Sequence, residues 1–319
     1  MAAISKSRLP RTVRRPILGP KAFGEARVTD TFRADDLVIH RIVEQEGGFL
    51  DPFDMLPDLT VDTMTAERDW LTAAGGLAPD GRLSLAFQTY VVRTPHHVVL
   101  VDSCIGNDKH RPTRPDWHGK TDTRFMEGLA AAGLSVDDVD YVMCTHLHAD
   151  HVGWNTRLEN GRWVPTFPKA RYVFATREFE HWQAADAKAP VFPFQDSVLP
   201  VVDAGRADLV AGDHAIGDHI RLMPTPGHTP GHVSIVFGKG RDAAVAPGDL
   251  IHSPLQALFP ELSTKFDVDR VEAAKTRRDF LERYGDTDTL CCMAHFPSPS
   301  VGRIRPWRDG FRCVSEGGA

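Results

Sequence analysis

The chain has 319 residues, 42% of them hydrophobic, with 43 acidic and 37 basic side chains and a net charge of −6. That length suits one large domain or two smaller ones, and the acidic balance offers no field for gathering nucleic acid. No apolar run reaches the ~18 residues of a membrane span, and five cysteines without a C-x-x-C pair read as small core residues in a reducing, cytoplasmic compartment.

Residues 1–30 are basic and broken by proline, with no apolar core behind the charges. They read as a flexible arm, suited to packing on a partner subunit, and fit an export signal poorly. Residues 31–319 read as a single domain. Leu37 to Val43 is the first expected strand, with His40 structural within it. Residues 46–83 form a long segment with few charges in its apolar part, Gly47 to Pro57. Irregular segments of that length are uncommon unless functional. It reads either as a flap giving Phe49, Phe53 and Met55 to a pocket wall or as padding at a core edge or homodimer interface.

Residues 83–94 and 98–102 are two further strands with a turn at Pro95-His96-His97. The polar loop 107–122 could bring Trp117 and His118 to a site or to an interface. Phe125 to Ala132 has helical spacing, with Phe125, Leu129 and Ala132 on one face, and ends at Gly133. Val139 to Cys144 is a buried strand. The run Thr145-His146-Leu147-His148-Ala149-Asp150-His151-Val152-Gly153-Trp154 follows it. His146 and His148 stand two apart where the chain is still extended, so both rings point one way. A turn after them, eased by Gly153, aims Asp150 and His151 at a second point nearby. Imidazole and carboxylate suit zinc, iron or manganese.

Beyond this run, 171–175 is a strand and Thr176 caps a helix through Trp182. Residues 188–202 read as an apolar loop that places Phe192 and Phe194 near the pocket. Strands follow at 208–210, 219–223, 233–238 and 243–247. A helix spans about 267–284 with Val271, Ala274, Arg278 and Leu281 on one face, and a strand at 289–293 leads to His295. His110, His181, His214 and His219 have no companion and read as solvated.

His-x-His-x-Asp-His, as it stands at 146–151, resembles the signature of the metallo-β-lactamase superfamily. The resemblance implies three more ligands, matched by His228 in Pro226-Gly227-His228-Thr229-Pro230-Gly231-His232, Asp249 after Gly248, and His295 in Ala294-His295-Phe296. It also covers Val101-Asp102-Ser103-Cys104, where cysteine replaces the usual glycine and Asp102 would support the ligands. It implies an α/β fold, a four-layer αβ/βα sandwich with metals between its sheets.

On this likeness His146, His148 and His228 would hold one metal, Asp150, His151 and His295 the other, and Asp249 would bridge them. The cofactors would be two divalent transition-metal ions, zinc foremost, with iron, manganese and cobalt compatible. A bridging hydroxide would then attack an ester, lactone, amide or phosphoester, with Asp150 holding it and passing on its proton.

Histidine at 148, where redox relatives usually carry glutamate, argues for hydrolysis. The aspartate at 249 argues against a true β-lactamase, and the lack of a basic C-terminal cluster against a glutathione thiolester hydrolase. A non-catalytic binding role is disfavoured by the complete ligand set. The pattern is most similar to N-acyl-homoserine lactonases and methyl parathion hydrolase-type organophosphate hydrolases. The expected substrate is a hydrophobic small molecule gripped by Phe49, Phe53, Phe192 and Phe194. His252 stands where many lactonases carry a tyrosine. It reads as a catalytic donor or proton carrier, or alternatively as a residue packed outside the site. His232 reads as a structural support.

Overall fold

Val99 and Val101 point to one side of their strand and Leu100 to the other, as the two-residue repeat requires, and they enter different cores. The computed structural model that shows this describes residues 29–315; the expected arm lies outside them but for its last two residues. The first half runs through β1 (Thr29–Ala34), β2 (Leu37–Leu50), α1 (Pro52–Met55), α2 (Val61–Ala73), β3 (Leu83–Arg93), β4 (Val98–Val101), α3 (Arg124–Ala131) and β5 (Tyr141–Met143). It continues with α4 (Ala149–Val152), the hairpin β6 (Thr156–Glu159) and β7 (Arg162–Pro165), β8 (Arg171–Ala175), α5 (Thr176–Asp186), α6 (Phe192–Ser197), α7 (Leu199–Asp203) and β9 (Ala207–Val210). The second half holds β10 (Ala215–Ile216), β11 (Ile220–Pro224), β12 (Val233–Phe237), β13 (Ala244–Ala246), α8 (Pro254–Leu258), α9 (Arg270–Tyr284), β14 (Leu290–Cys292), β15 (Val301–Trp307) and β16 (Gly310–Ser315).

Two seven-stranded sheets result, in the orders β1-β2-β3-β4-β5-β8-β9 and β10-β11-β12-β13-β14-β15-β16. Strands β4, β5, β8 and β9 are mutually parallel, and β13 pairs parallel with β14. One core takes Ile39, Val99, Val101 and Val173 from the first sheet with Ile235, Ala244, Ala246 and Cys292 from the second, so the sheets pack face to face. The outer face of the first sheet, including Leu100 and Val142, packs against Phe125 and Leu129 of α3 and Phe179 of α5. Val236 and Val245 on the outer face of the second pack against Phe280 and Leu281 of α9. The order is therefore helix, sheet, sheet, helix, the four-layer sandwich expected.

Several local expectations change. Residues 46–83 are not an irregular flap. The β2–β3 pairing extends to Leu50 and Leu83, and α1 and α2 fill the interval. Asp51 accepts from the Phe53 and Asp54 amides and Thr60 from that of Thr63, capping both helices. Met55, Met64 and Leu71 then bury against Leu255. Residues 188–202 contain two short helices, each with proline in its first turn. Thr176 is the first residue of α5 instead of its cap, its hydroxyl donating to Val210 O at 3.0 Å. Helix α9 buries Ala273, Arg277, Phe280, Leu281 and Tyr284, while Val271 is 82% exposed. The expected face was rotated because Arg277 takes an inward position that a charge seldom occupies.

Candidate metal centre

Strand β5 ends at Met143 and the backbone remains extended at His148, the residue before α4. His146 Nε2 consequently meets His148 Nδ1 at 2.9 Å, and His228 Nε2 reaches the same Nδ1 at 3.0 Å. Asp249 Oδ2 lies 3.6 Å from His146 Nε2 and 3.3 Å from His228 Nε2, so these four make one cluster. Helix α4 presents Asp150 and His151, which gather with His295 into a second. Asp150 Oδ2 lies 3.9 Å from His151 Nε2 and 3.7 Å from His295 Nε2. The other oxygen of Asp249 stands 3.0 Å from His151 Nε2 and 2.9 Å from His295 Nε2. The seven residues singled out in the sequence thus converge, with Asp249 touching both clusters.

The far ring nitrogens decide what the near ones offer. His151 Nδ1 lies 2.9 Å from Asp102 Oδ2, His228 Nδ1 2.8 Å from Asp267 Oδ1, and His295 Nδ1 2.9 Å from Ala86 O. Carboxylate and carbonyl oxygens only accept, so each Nδ1 carries a proton and a neutral ring turns an Nε2 lone pair inward. His151 Nε2 and His295 Nε2 then face each other at 3.2 Å. Two lone pairs at that distance repel unless a proton or cation lies among them. Asp249 Oδ1 is near both nitrogens yet aligned with neither, and is buried without a hydrogen-bond partner. Imidazole nitrogens and carboxylate oxygens converging in this way fit a pair of divalent transition-metal ions.

Charge points the same way. Burial pushes His146 well below the usual imidazole value, helped by His151, and takes His148 down to about 3, helped by His228. Burial also opposes protonation of His151, but Asp249, Asp102 and Asp150 outweigh it and hold His151 well above its usual value. His228 is likewise raised against burial, to about 9, by Asp249 and Asp267. Burial would raise Asp249, yet His151 and His295 hold its carboxyl well below the ordinary range. The carboxylates therefore call for positive charge at the centre.

A cavity of about 530 Å³ opens over these groups, with His148, Asp150, His228, Asp249, His252 and His295 in its lining and Phe49, Met55, Phe87, Trp117, Trp182 and Phe192 among its apolar walls. Phe87 joins Phe49 at 4.8 Å, Trp117 at 5.1 Å and His295 at 5.3 Å between ring centres. Two expected wall residues are elsewhere. Phe53 is 40% exposed, because α1 buries Pro52 and Met55 on its other side. Phe194 is 1% exposed and packs on Phe179 in the core, whereas Phe192 lines the cavity. Two positions along α6 turn the side chain through roughly 200°, which the expected loop did not anticipate. Trp117 lines the cavity; His118 accepts from the Arg111 amide through Nδ1 and does not line it. Of the histidines read as solvated, His110 is exposed but borders the cavity, and His219 is buried between Asp36 and Asp218.

The family model for the metallo-beta-lactamase superfamily matches residues 88–295, well over half the chain, from within β3 to the last histidine. The chain belongs to the metallo-beta-lactamase superfamily. Members of this superfamily and the lactonase relatives are metal-dependent hydrolases. The chain is 25% identical over 181 residues to an N-acyl homoserine lactonase of a Bacillus species, which covers 50% of this chain and 62% of that protein. It is 35% identical over 128 residues to the hydroxyacylglutathione hydrolase of Acidiphilium cryptum (strain JF-5), covering 40% of each. Among solved structures, the superfamily hydrolase AbOPH superposes with a TM-score of 0.76 over 93% of this chain and all of that one, at 20% identity. AidC, a dizinc quorum-quenching lactonase in complex with a product, superposes with 0.74 over 91% of this chain and 98% of its own, also at 20% identity. These two likenesses concern the fold.

Around the superfamily's ligand motifs stand supports of two kinds. Asp102, expected as one, accepts from the Thr145 amide at 2.8 Å and from His151. His232 accepts from the Asp249 amide at 3.1 Å while its other nitrogen faces Thr225 O at 3.0 Å. Burial, with His228 next, takes this ring down to about 3, which keeps it neutral for that task. Gly248 fits between them with φ +59°, where a Cβ would lie 2.7 Å from both His232 Nε2 and Thr145. Gly153 is required by close approach instead of by a turn, since a Cβ there would lie 1.9 Å from Ile105 O.

Asp267 and Glu178 had not been singled out. Asp267 holds His228 through Oδ1, while its Oδ2 accepts from the Thr264 amide at 2.9 Å and from the buried Arg277 at 3.3 Å. Buried Glu178 accepts from the Leu147 and Gly231 amides, both at 3.1 Å, and from Trp182 Nε1 at 2.7 Å. One carboxylate thus ties the first histidine motif to the second. Its only sequence sign is a Glu-to-Trp spacing of four on a helix.

His252 does not pack outside the site. Its Nε2 lies 3.0 Å from Asp249 Oδ2, its ring stacks on that of His295 at 5.3 Å, and its Nδ1 is buried without a partner. Burial lowers its pKa, with Asp249 opposing.

Proposed function

We propose that this protein is a dinuclear metal-dependent hydrolase that cleaves a lactone or ester of a largely apolar small molecule. The observation that carries the reading is Asp249, whose two oxygens face two separate histidine clusters on the floor of an apolar cavity. His146, His148 and His228 would hold one ion, Asp150, His151 and His295 the other, and Asp249 would lie between. Divalent ions there supply Lewis acidity and a water-derived nucleophile at neutral pH.

The chain's own groups do the rest. Burial raises Asp150, but His151 and His295 outweigh it and lower its pKa, so it begins as a carboxylate able to take a proton from the attacking water. It then returns that proton to the leaving oxygen. His252 donates its Nε2–H to Asp249 Oδ2, which leaves the lone pair of its buried Nδ1 free to take up a proton, so the neutral ring serves as a proton carrier beside the centre. The walls of Phe49, Phe87, Trp117 and Phe192 exclude water and take the apolar body of the substrate. Five free cysteines suit a cytoplasmic setting, and no helix among the described residues is long and apolar enough to cross a membrane.

The test is a panel of acyl lactones, aryl esters and one uncharged phosphotriester on the metal-reconstituted protein. Turnover of lactones and esters above the phosphotriester supports the reading. Turnover of the phosphotriester alone would replace it with an organophosphate hydrolase, and turnover of none would reject hydrolysis of these classes.

A further inference from the structure

The cavity contains a cation that nothing in the proposed chemistry uses. Two arginines line it, Arg111 and Arg114. Arg111 is neutralised, its guanidinium donating to both oxygens of Asp196 at 2.6 and 2.9 Å. Arg114 has no ion pair among the described residues; Asp116, exposed at the same rim, forms none with it. Its guanidinium instead lies against two aromatic rings, 5.2 Å from the centre of Trp117 and 5.5 Å from that of Phe266.

The backbone beneath this group is fixed. Arg114 N–H donates to Arg111 O at 2.8 Å, and Arg114 O accepts from the Trp117 and His118 amides, each at 2.9 Å. Pro112 and Pro115 flank it. The side chain is half-buried and faces the cavity from the polar wall. From Trp117 the ring contacts continue through Phe87 to His295. An apolar wall therefore runs between the hydrolytic centre at one end and an uncompensated cation at the other.

We propose that Arg114 receives an anionic group of the substrate, so that the natural substrate is an ester or lactone whose acyl chain ends in a carboxylate or similar oxyanion. This rests on the hydrolase reading above. A half-buried guanidinium lying against the rings of Trp117 and Phe266 loses less water on meeting an oxyanion than a free one does, and its planar fork suits bidentate pairing. The apolar chain of such a substrate covers Phe87 and Trp117.

The test compares two aryl esters of equal chain length on the metal-loaded protein, 4-nitrophenyl hexanoate and mono-4-nitrophenyl adipate. The adipate ester should show kcat/KM about 10–100-fold higher. Arg114→Ala should bring the ratio near one and Arg114→Glu below one. Calorimetry with the uncleaved pair hexananilide and adipic monoanilide reads binding independently of turnover. Equal handling of both esters and both anilides, unaltered in the Arg114 variants, would overturn the proposal. Failure to cleave either ester while the anilides still discriminate through Arg114 would overturn the hydrolase reading and leave the anion site standing.

Discussion

Asp267 Oδ1 lies 2.8 Å from His228 Nδ1, and the same carboxylate accepts from Thr264 while facing the buried guanidinium of Arg277. His228 is thus oriented from the segment just before α9. Burial would raise Asp267, but His228 outweighs it and holds the carboxyl far below its usual value. Asp267→Asn should keep the shape while weakening this hold. Metal affinity should fall about 10–100-fold, read by competition with a fluorescent chelator, and the melting temperature should fall too, because the buried Arg277 loses its ion-pair partner. Unaltered affinity would reduce Asp267 to a packing role.

Glu178 joins the first and second histidine motifs through the Leu147 and Gly231 amides. Glu178→Ala leaves buried donors unmet, at about 1–3 kcal/mol each, and should lower both stability and metal occupancy. Glu178→Gln keeps one acceptor oxygen and should recover part of each. Calorimetric unfolding with metal analysis checks this; a loss of stability with full occupancy would mean that the clamp does not order the ligands.

Much of this arrangement was legible in the sequence. The candidate ligand histidines and aspartates sit in short motifs beside strand-like runs, and extended backbone fixes where His146 and His148 point. The supports were not legible. Glu178 and Asp267 act on groups distant in sequence, Leu147, Gly231 and His228, and only the tertiary fold brings these pairs together. The aromatic residues divided for a local reason. Phe192 and Phe194 looked alike in an apolar run, and about half a turn of helix sends the first to the cavity and the second to the core.

That division can be measured. Phe194→Ala should cost about 3–5 kcal/mol of stability through a core cavity. Phe53→Ala, at an exposed position, should change stability by less than about 0.5 kcal/mol and leave KM alone. Phe192→Ala should raise KM for long acyl substrates more than for acetyl esters. An equal rise for both would remove Phe192 from substrate selection.

His252 belongs to the ring of imidazoles around Asp249. His252→Ala should lower kcat about 10²–10⁴-fold, as loss of a general acid–base group does, with two ions retained. His252→Tyr should recover part of the rate on lactones. Loss of one ion from His252→Ala would make it a ligand, and an unchanged rate in both variants would leave it a structural residue.

If two ions share the carboxylate of Asp249, the metal content of the protein follows and can be counted. After removal of metal and reconstitution with zinc, native mass spectrometry should find about two ions on the wild-type chain. Asp249→Asn, folded to the same melting profile, should hold fewer and lose turnover. One ion or none on the wild type, or two ions and full activity in Asp249→Asn, would rule out a carboxylate shared by two ions.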